Sequence, residues 1–231
     1  MSIEYKNASM THHATHERSL ALQLQQALLQ ISQYAQGAQV DARAIEVTAR
    51  RTLDLIDCYL LGSRGPDQLR LHLEPVSLGS IVQEALHQLT PTAEQYDCQL
   101  WLKSTGSPAL IYTDKELAKM AFVGLGHSFI EEAASQSKAR RVVFAVKSRL
   151  AGPTAGVFSP GIDVKARSLE QLRNLQGQAS RQSGSFSSTA TGVVLADALL
   201  KRIETQLFAT SFHHIKGFAA TFDKSTQLQL V

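Results

Sequence analysis

From Ser19 to Tyr34 the apolar residues Leu20, Leu24, Leu28 and Ile31 recur at steps of four, four and three, so they share one face of a helix. Gly37 then releases that helix and Asp41 is placed to cap the next. Between Ala42 and Leu61, Ile45, Ala49, Leu53, Ile56 and Leu60 draw a second stripe. Two such helices with a short connection make an antiparallel hairpin. One hairpin leaves its apolar face half covered, and pairing with a second copy into a dimeric four-helix bundle would bury it.

Gly62, Gly65 and Pro66 end the second helix and mark a linker. Leu69, Leu71 and Leu73 alternate with polar residues as a short strand does, and Ser77 caps a helix running to about Leu89. Gln99–Lys103 and Ala109–Tyr112 read as strands. A long helix follows from Asp114 to about Ala133, with Leu117, Met120, Ala121, Val123, Leu125 and Phe129 inward. Val142–Val146 is a further strand, with Gly156–Phe158 as a candidate partner. Ala151–Gly161 and Gln176–Thr191 are rich in Gly, Ser, Thr and Pro and read as loops. Val193–Leu207 returns to helix, and Gly217–Phe222 with Gln227–Val231 is expected to close the chain as a hairpin. An all-helical part followed by a helix–strand mixture gives an α+β protein of two domains joined near residue 65.

At 231 residues, 44% apolar and 19% charged, the chain can form real cores and is not disordered material. No apolar run approaches the roughly 18 residues needed to span a bilayer, so no membrane segment is expected. The N-terminal Met-Ser-Ile-Glu-Tyr-Lys-Asn does not read as a signal peptide. Cys58 and Cys98 sit in no metal or redox spacing, so free thiols in a cytoplasmic protein are expected. Positions 138–181 hold nine Lys/Arg against Asp163 and Glu170 alone, which is where the net charge of +3 arises. No nucleic-acid motif accompanies them, so a solvated face is expected and no nucleic-acid partner.

The succession of a helix ending in Leu-Ile-Asp-Cys-Tyr-Leu-Leu-Gly-Ser-Arg, then Leu-Glu-Pro-Val-Ser-Leu, then Asp-Lys-Glu-Leu-Ala-Lys-Met-Ala-Phe-Val-Gly-Leu-Gly-His-Ser resembles the sensor histidine kinase core. The resemblance covers about residues 14–231 and is most specific at 50–130. It implies a flexible N-terminus at 1–13, a dimerisation and histidine phosphotransfer hairpin at 14–64, and a GHKL-type α/β sandwich at 65–231. His16-Glu17-Arg18-Ser19-Leu20-Ala21-Leu22 matches the family's His-Glu-x-x-x-Pro-Leu box in its His, its Glu and its last Leu, while Ala21 replaces the Pro. A phosphoacceptor needs a neutral imidazole nitrogen on an exposed helix, and a neighbouring carboxylate can orient the ring. His16 therefore stands as candidate nucleophile and Glu17 as its orienting partner.

The nucleotide boxes depart from the family. Counting from Asp114, the two asparagines that would face ATP and magnesium fall at Gly124 and Ser128. The Asp-x-Gly-x-Gly box appears as Ser159-Pro160-Gly161-Ile162-Asp163, and the Gly-x-Gly-Leu box as Gly192-Val193-Val194-Leu195. Ser128, Gly161 and Gly192 are thus remnants of a cofactor site, and neither ATP nor magnesium nor any other metal is expected to bind. The resemblance then implies a homodimeric phosphotransferase that passes phosphate through His16 to or from a response-regulator receiver, with a hybrid sensor kinase as a further partner. An active, divergent ATP-dependent kinase and a non-catalytic protein that binds a receiver or kinase are the alternatives.

Overall fold

The computed structural model describes residues 21, 24–37, 39–63, 70–106, 110–135, 140–149, 152–160, 169 and 190–225. Helix α1 (24–36) and helix α2 (Ala42–Ser63) form the hairpin. Asp41 caps α2, its Oδ1 accepting from the Ala44 amide at 2.9 Å. Helix α2 does not turn its most apolar stripe toward the rest of the chain. It buries Ala44, Val47, Thr48, Asp54, Leu55 and Cys58, whereas Leu53 and Leu60 stay 59% and 48% exposed. Leu28 on α1 is 66% exposed.

Strand β1 (Leu73–Ser77) pairs antiparallel with β3 (Leu110–Asp114) as a two-stranded sheet. The strand lies four residues later than the Leu69-Leu71-Leu73 alternation suggests. Helix α3 (Leu78–Gln95) begins at Ser77, whose Oγ accepts from the Ser80 amide at 3.4 Å. It runs through Pro91 instead of stopping near Leu89, because Thr92 and Ala93 continue its buried face and the proline removes only one backbone donor.

Strand β2 (Gln99–Thr105), β4 (Arg141–Arg149), β5 (Gly152–Ser159), β6 (Leu207–Phe212) and β7 (Ile215–Thr221) make the main sheet in the order β2-β4-β5-β7-β6. The β2–β4 pair is parallel and the others are antiparallel. Helix α4 (Lys115–Ser135) and helix α5 (Ala190–Arg202) pack with α3 on one face, giving a two-layer sandwich behind the hairpin. Between the layers, Phe129 meets Phe218 edge-on at 6.2 Å.

The stretch read as a loop at Ala151–Gly161 is mostly strand β5, because alternate residues Ala155 and Val157 reach the core while Gly156 and Phe158 face the other way. The last helix ends at Arg202 and not at Leu207, since Leu207 opens β6, the true partner of β7. The β6–β7 turn is made by His213 and His214, both at positive φ of 44° and 66°. Residues 227–231, expected to supply the closing strand, lie outside the described residues.

Candidate functional site

Asp114 sets the register of α4. Its Oδ1 accepts from the Leu117 amide at 3.0 Å, so the helix starts where the sequence places it, and its Oδ2 accepts from the His72 amide at 2.9 Å. The helix is buried nearly all round, including Gly124, His127, Ser128 and Glu132, because α2, α3, α5 and the sheet surround it.

Gly124, Ser128 and Gly192 are brought together, but on each other and not around a cavity. Helices α4 and α5 cross there at backbone contact. A Cβ on Gly192 would strike the Gly124 carbonyl oxygen and the Ser128 hydroxyl. A Cβ on Gly124 would lie 3.2 Å from the Gly192 carbonyl oxygen and 3.7 Å from the Cys58 sulfur of α2. Glycine offers no ligand, the Ser128 hydroxyl points into a helix contact, and α2 closes the third side. These residues do not fit a magnesium nucleotide. His16, Glu17 and Gly161 lie outside the described residues, as does Asp163.

Beside this crossing lies a polar network that joins the hairpin to the sandwich. The Asp54 carboxylate on α2 meets His127 Nε2 on α4 at 3.0 Å, and its other oxygen accepts from Gln88 Nε2 on α3 at 2.8 Å. His127 is 2% exposed and its Nδ1 has no partner, which assigns the ring proton to Nε2. Burial lowers the His127 pKa against the opposing pull of Asp54, so the ring is held neutral. One turn earlier on α2, Arg51 forms an ion pair with Glu131 of α4 and donates to the Tyr96 hydroxyl at 3.1 Å. Arg202 donates to the Gly62 carbonyl at 2.9 Å, tying α5 to the end of α2. Leu55 and Cys58 belong to the same core as α3, α4 and α5. Burial, aided by Asp54 and Asp57, pushes the Cys58 thiol up to about 12, and burial pushes Cys98 up to about 11, so both are inert thiols.

None of the Arg51, Asp54, His127 and Glu131 contacts stands out in the linear sequence, although His127 interrupts the apolar run that begins at Met120. A cleft of about 370 Å³ opens where α1, α2 and α4 meet, bordered by Leu24, Gln30, Arg51, Leu55, Tyr96 and Glu131. Among the described residues no cluster of His, Cys, Asp and Glu could hold a metal ion, and no helix is long and apolar enough to cross a membrane.

No family model matches the sequence, and no curated protein matches it. Solved structures do. The histidine kinase ThkA, in a complex with the response regulator protein TrrA, superimposes with a TM-score of 0.59 at 10% identity over 96% of this chain and 63% of its own. The Acinetobacter baumannii histidine kinase AdeS gives 0.51 at 16% identity over 89% of this chain and 95% of its own. Full-length ShkA in complex with AMPPNP gives 0.53 at 14% identity over 96% of this chain and 46% of its own. The fold is therefore that of the histidine kinase core, a helical hairpin followed by a GHKL-like sandwich.

Proposed function

We propose that this protein is a two-component phosphorelay protein that transfers phosphate through His16 and does not phosphorylate itself from ATP. The observation that carries the reading is the α4–α5 crossing at Gly124, Ser128 and Gly192, which puts helix against helix where the fold's nucleotide boxes fall, while the hairpin is kept. Under this reading the hairpin at 14–64 is the transfer unit and the sandwich at 65–231 is a docking wall in the cytoplasm. A response-regulator receiver supplies the other half of the reaction, namely an aspartyl phosphate and its magnesium. The neutral His16 nitrogen attacks the phosphorus in line, the N–P bond forms as the P–O bond to the receiver's aspartyl group breaks and releases its carboxylate, and Glu17, which orients the ring, accepts the proton from the other ring nitrogen. That ThkA assembles with TrrA supports a receiver as partner.

The exposed Leu28, Leu53 and Leu60 support a homodimer through the hairpin, since this stripe is left over after α2 has docked on the sandwich. Light scattering should give twice the monomer mass of 25.2 kDa, and Leu53→Glu with Leu60→Glu should give the monomer without loss of the sandwich fold.

Incubation with a phosphorylated receiver should label the protein with an acid-labile, base-stable phosphate that His16→Gln abolishes. Glu17→Ala should slow the transfer about tenfold to a hundredfold without removing the acceptor. Labelling that persists in His16→Gln would move the acceptor elsewhere. Failure of any receiver to label the wild type would leave a non-catalytic docking protein, a reading favoured by Ala21 standing in place of the family's proline.

A further inference from the structure

Strand β2 is an outer edge of the main sheet, and it carries few of the devices that normally close an edge. It runs seven residues in unbroken register with β4, without a proline, a bulge or a carboxylate. All of them except Leu100 are exposed, Leu102 at 38%. Gln99 donates to the Arg140 carbonyl at 2.8 Å. In a parallel ladder of that register the backbone groups of Gln99, Trp101, Lys103 and Thr105 face β4, and those of Leu100, Leu102 and Ser104 face outward. No backbone bond reaches this outward set among the described residues. Side chains alternate as the backbone does, so Trp101 and Lys103 share one face of β2 while Leu100 and Leu102 share the other. Lys103 and Arg141 lie 5.0 and 5.6 Å from the Trp101 ring, which holds both cations beside the edge. Neither pairs with a carboxylate among the described residues.

We infer that this edge accepts an added strand from an acidic partner protein, an extended segment in which carboxylates alternate with aliphatic residues. The outward N–H and C=O groups of Leu100, Leu102 and Ser104 supply the main-chain bonds, which give such a complex its affinity. Alternate side chains give it specificity. On the Trp101 face the carboxylates of the segment meet Lys103 and Arg141, and on the other face its aliphatic side chains extend the row begun by Leu100 and Leu102. The charge of the edge argues against a second copy of this chain as the occupant. Two β2 strands paired about Leu102 would gather the Lys103 and Arg141 of both copies with no carboxylate on either strand, and like charges set opposite one another destabilise a sheet.

Trp101 is the only tryptophan of the chain, so its emission reports on the edge. Titrating the full-length protein with a capped heptapeptide of alternating Glu and Val should change that emission saturably. At saturation the Leu102 and Ser104 amides, which exchange freely in the protein alone, should be protected from hydrogen exchange. N-methylation of the peptide's Val residues blocks an antiparallel added strand and N-methylation of its Glu residues a parallel one, so one of the two should abolish binding and the other should not. Lys103→Glu, a change at an exposed position, should weaken binding about tenfold or more. Unprotected Leu102 and Ser104 amides at saturation, equal effects of the two N-methylation patterns, or equal affinity for a Lys and Val heptapeptide would each overturn the inference. Protection of those amides in the protein alone, rising with its concentration, would give the edge to a second copy and overturn the acidic partner.

Discussion

Gly192→Ala is expected to lower stability by about 3 kcal/mol or more, although alanine is the better helix former by up to about 1 kcal/mol. The added methyl has nowhere to go. It meets a backbone carbonyl and the Ser128 hydroxyl, neither of which is the loose end of a flexible side chain, so α5 must lift off α4. That separation would uncover Val193, Ala196 and Leu200, which are buried on α5. In a protein of this size the loss corresponds to a melting temperature lower by roughly 6–12 °C. Gly79→Ala is the control, because a Cβ there meets only Ser77 Oγ at 3.6 Å, and thermal unfolding should find it neutral or slightly stabilised.

Asp54→Ala should cost about 2–4 kcal/mol, measured by chemical denaturation. It deprives both Gln88 and the buried His127 of their acceptor, and it loosens the hairpin from the sandwich. Acid should strain the same joint. Since burial holds the folded His127 pKa below its ordinary value of 6.5, the unfolded chain takes up the proton first as pH falls. Its contribution to stability is therefore complete above about pH 7.5 and is lost below the unfolded pKa, at up to about 1.4 kcal/mol per pH unit. His127→Gln, which can still donate to Asp54 but cannot titrate, should flatten that acid limb.

The elements legible in the sequence are those whose signals are local. Asp41, Ser77 and Asp114 each cap the helix they precede, and the apolar spacing from Leu117 to Phe129 marks α4. Strand β6 was not legible because Val193 to Leu207 keeps apolar residues at helical intervals, while the break is made by Glu204 at a positive φ of 56° without a glycine to announce it. The β6–β7 turn likewise uses two histidines where Asn-Gly would have been read at once. For α2, periodicity selects a stripe that is at most half buried, with Leu53 and Leu60 exposed and Ile45, Ala49 and Ile56 intermediate. The face that docks is built on Thr48, Asp54 and Cys58, whose partners lie on helices far along the chain. Gly124, Ser128 and Gly192 could be matched to the nucleotide boxes by counting alone. Their contact with one another could not, because it depends on how closely two helices cross.

Thermal unfolding with and without millimolar magnesium ATP tests most directly whether this sandwich has exchanged its nucleotide site for helix packing. A ligand present at about 100 times its dissociation constant stabilises the folded state by about 2.7 kcal/mol, which would raise the melting temperature by roughly 5–10 °C. The packing of Gly192 on Gly124 and Ser128 predicts a shift below about 1 °C. A rise of several degrees, saturating with ATP, would contradict it and show that α4 and α5 part to admit the nucleotide.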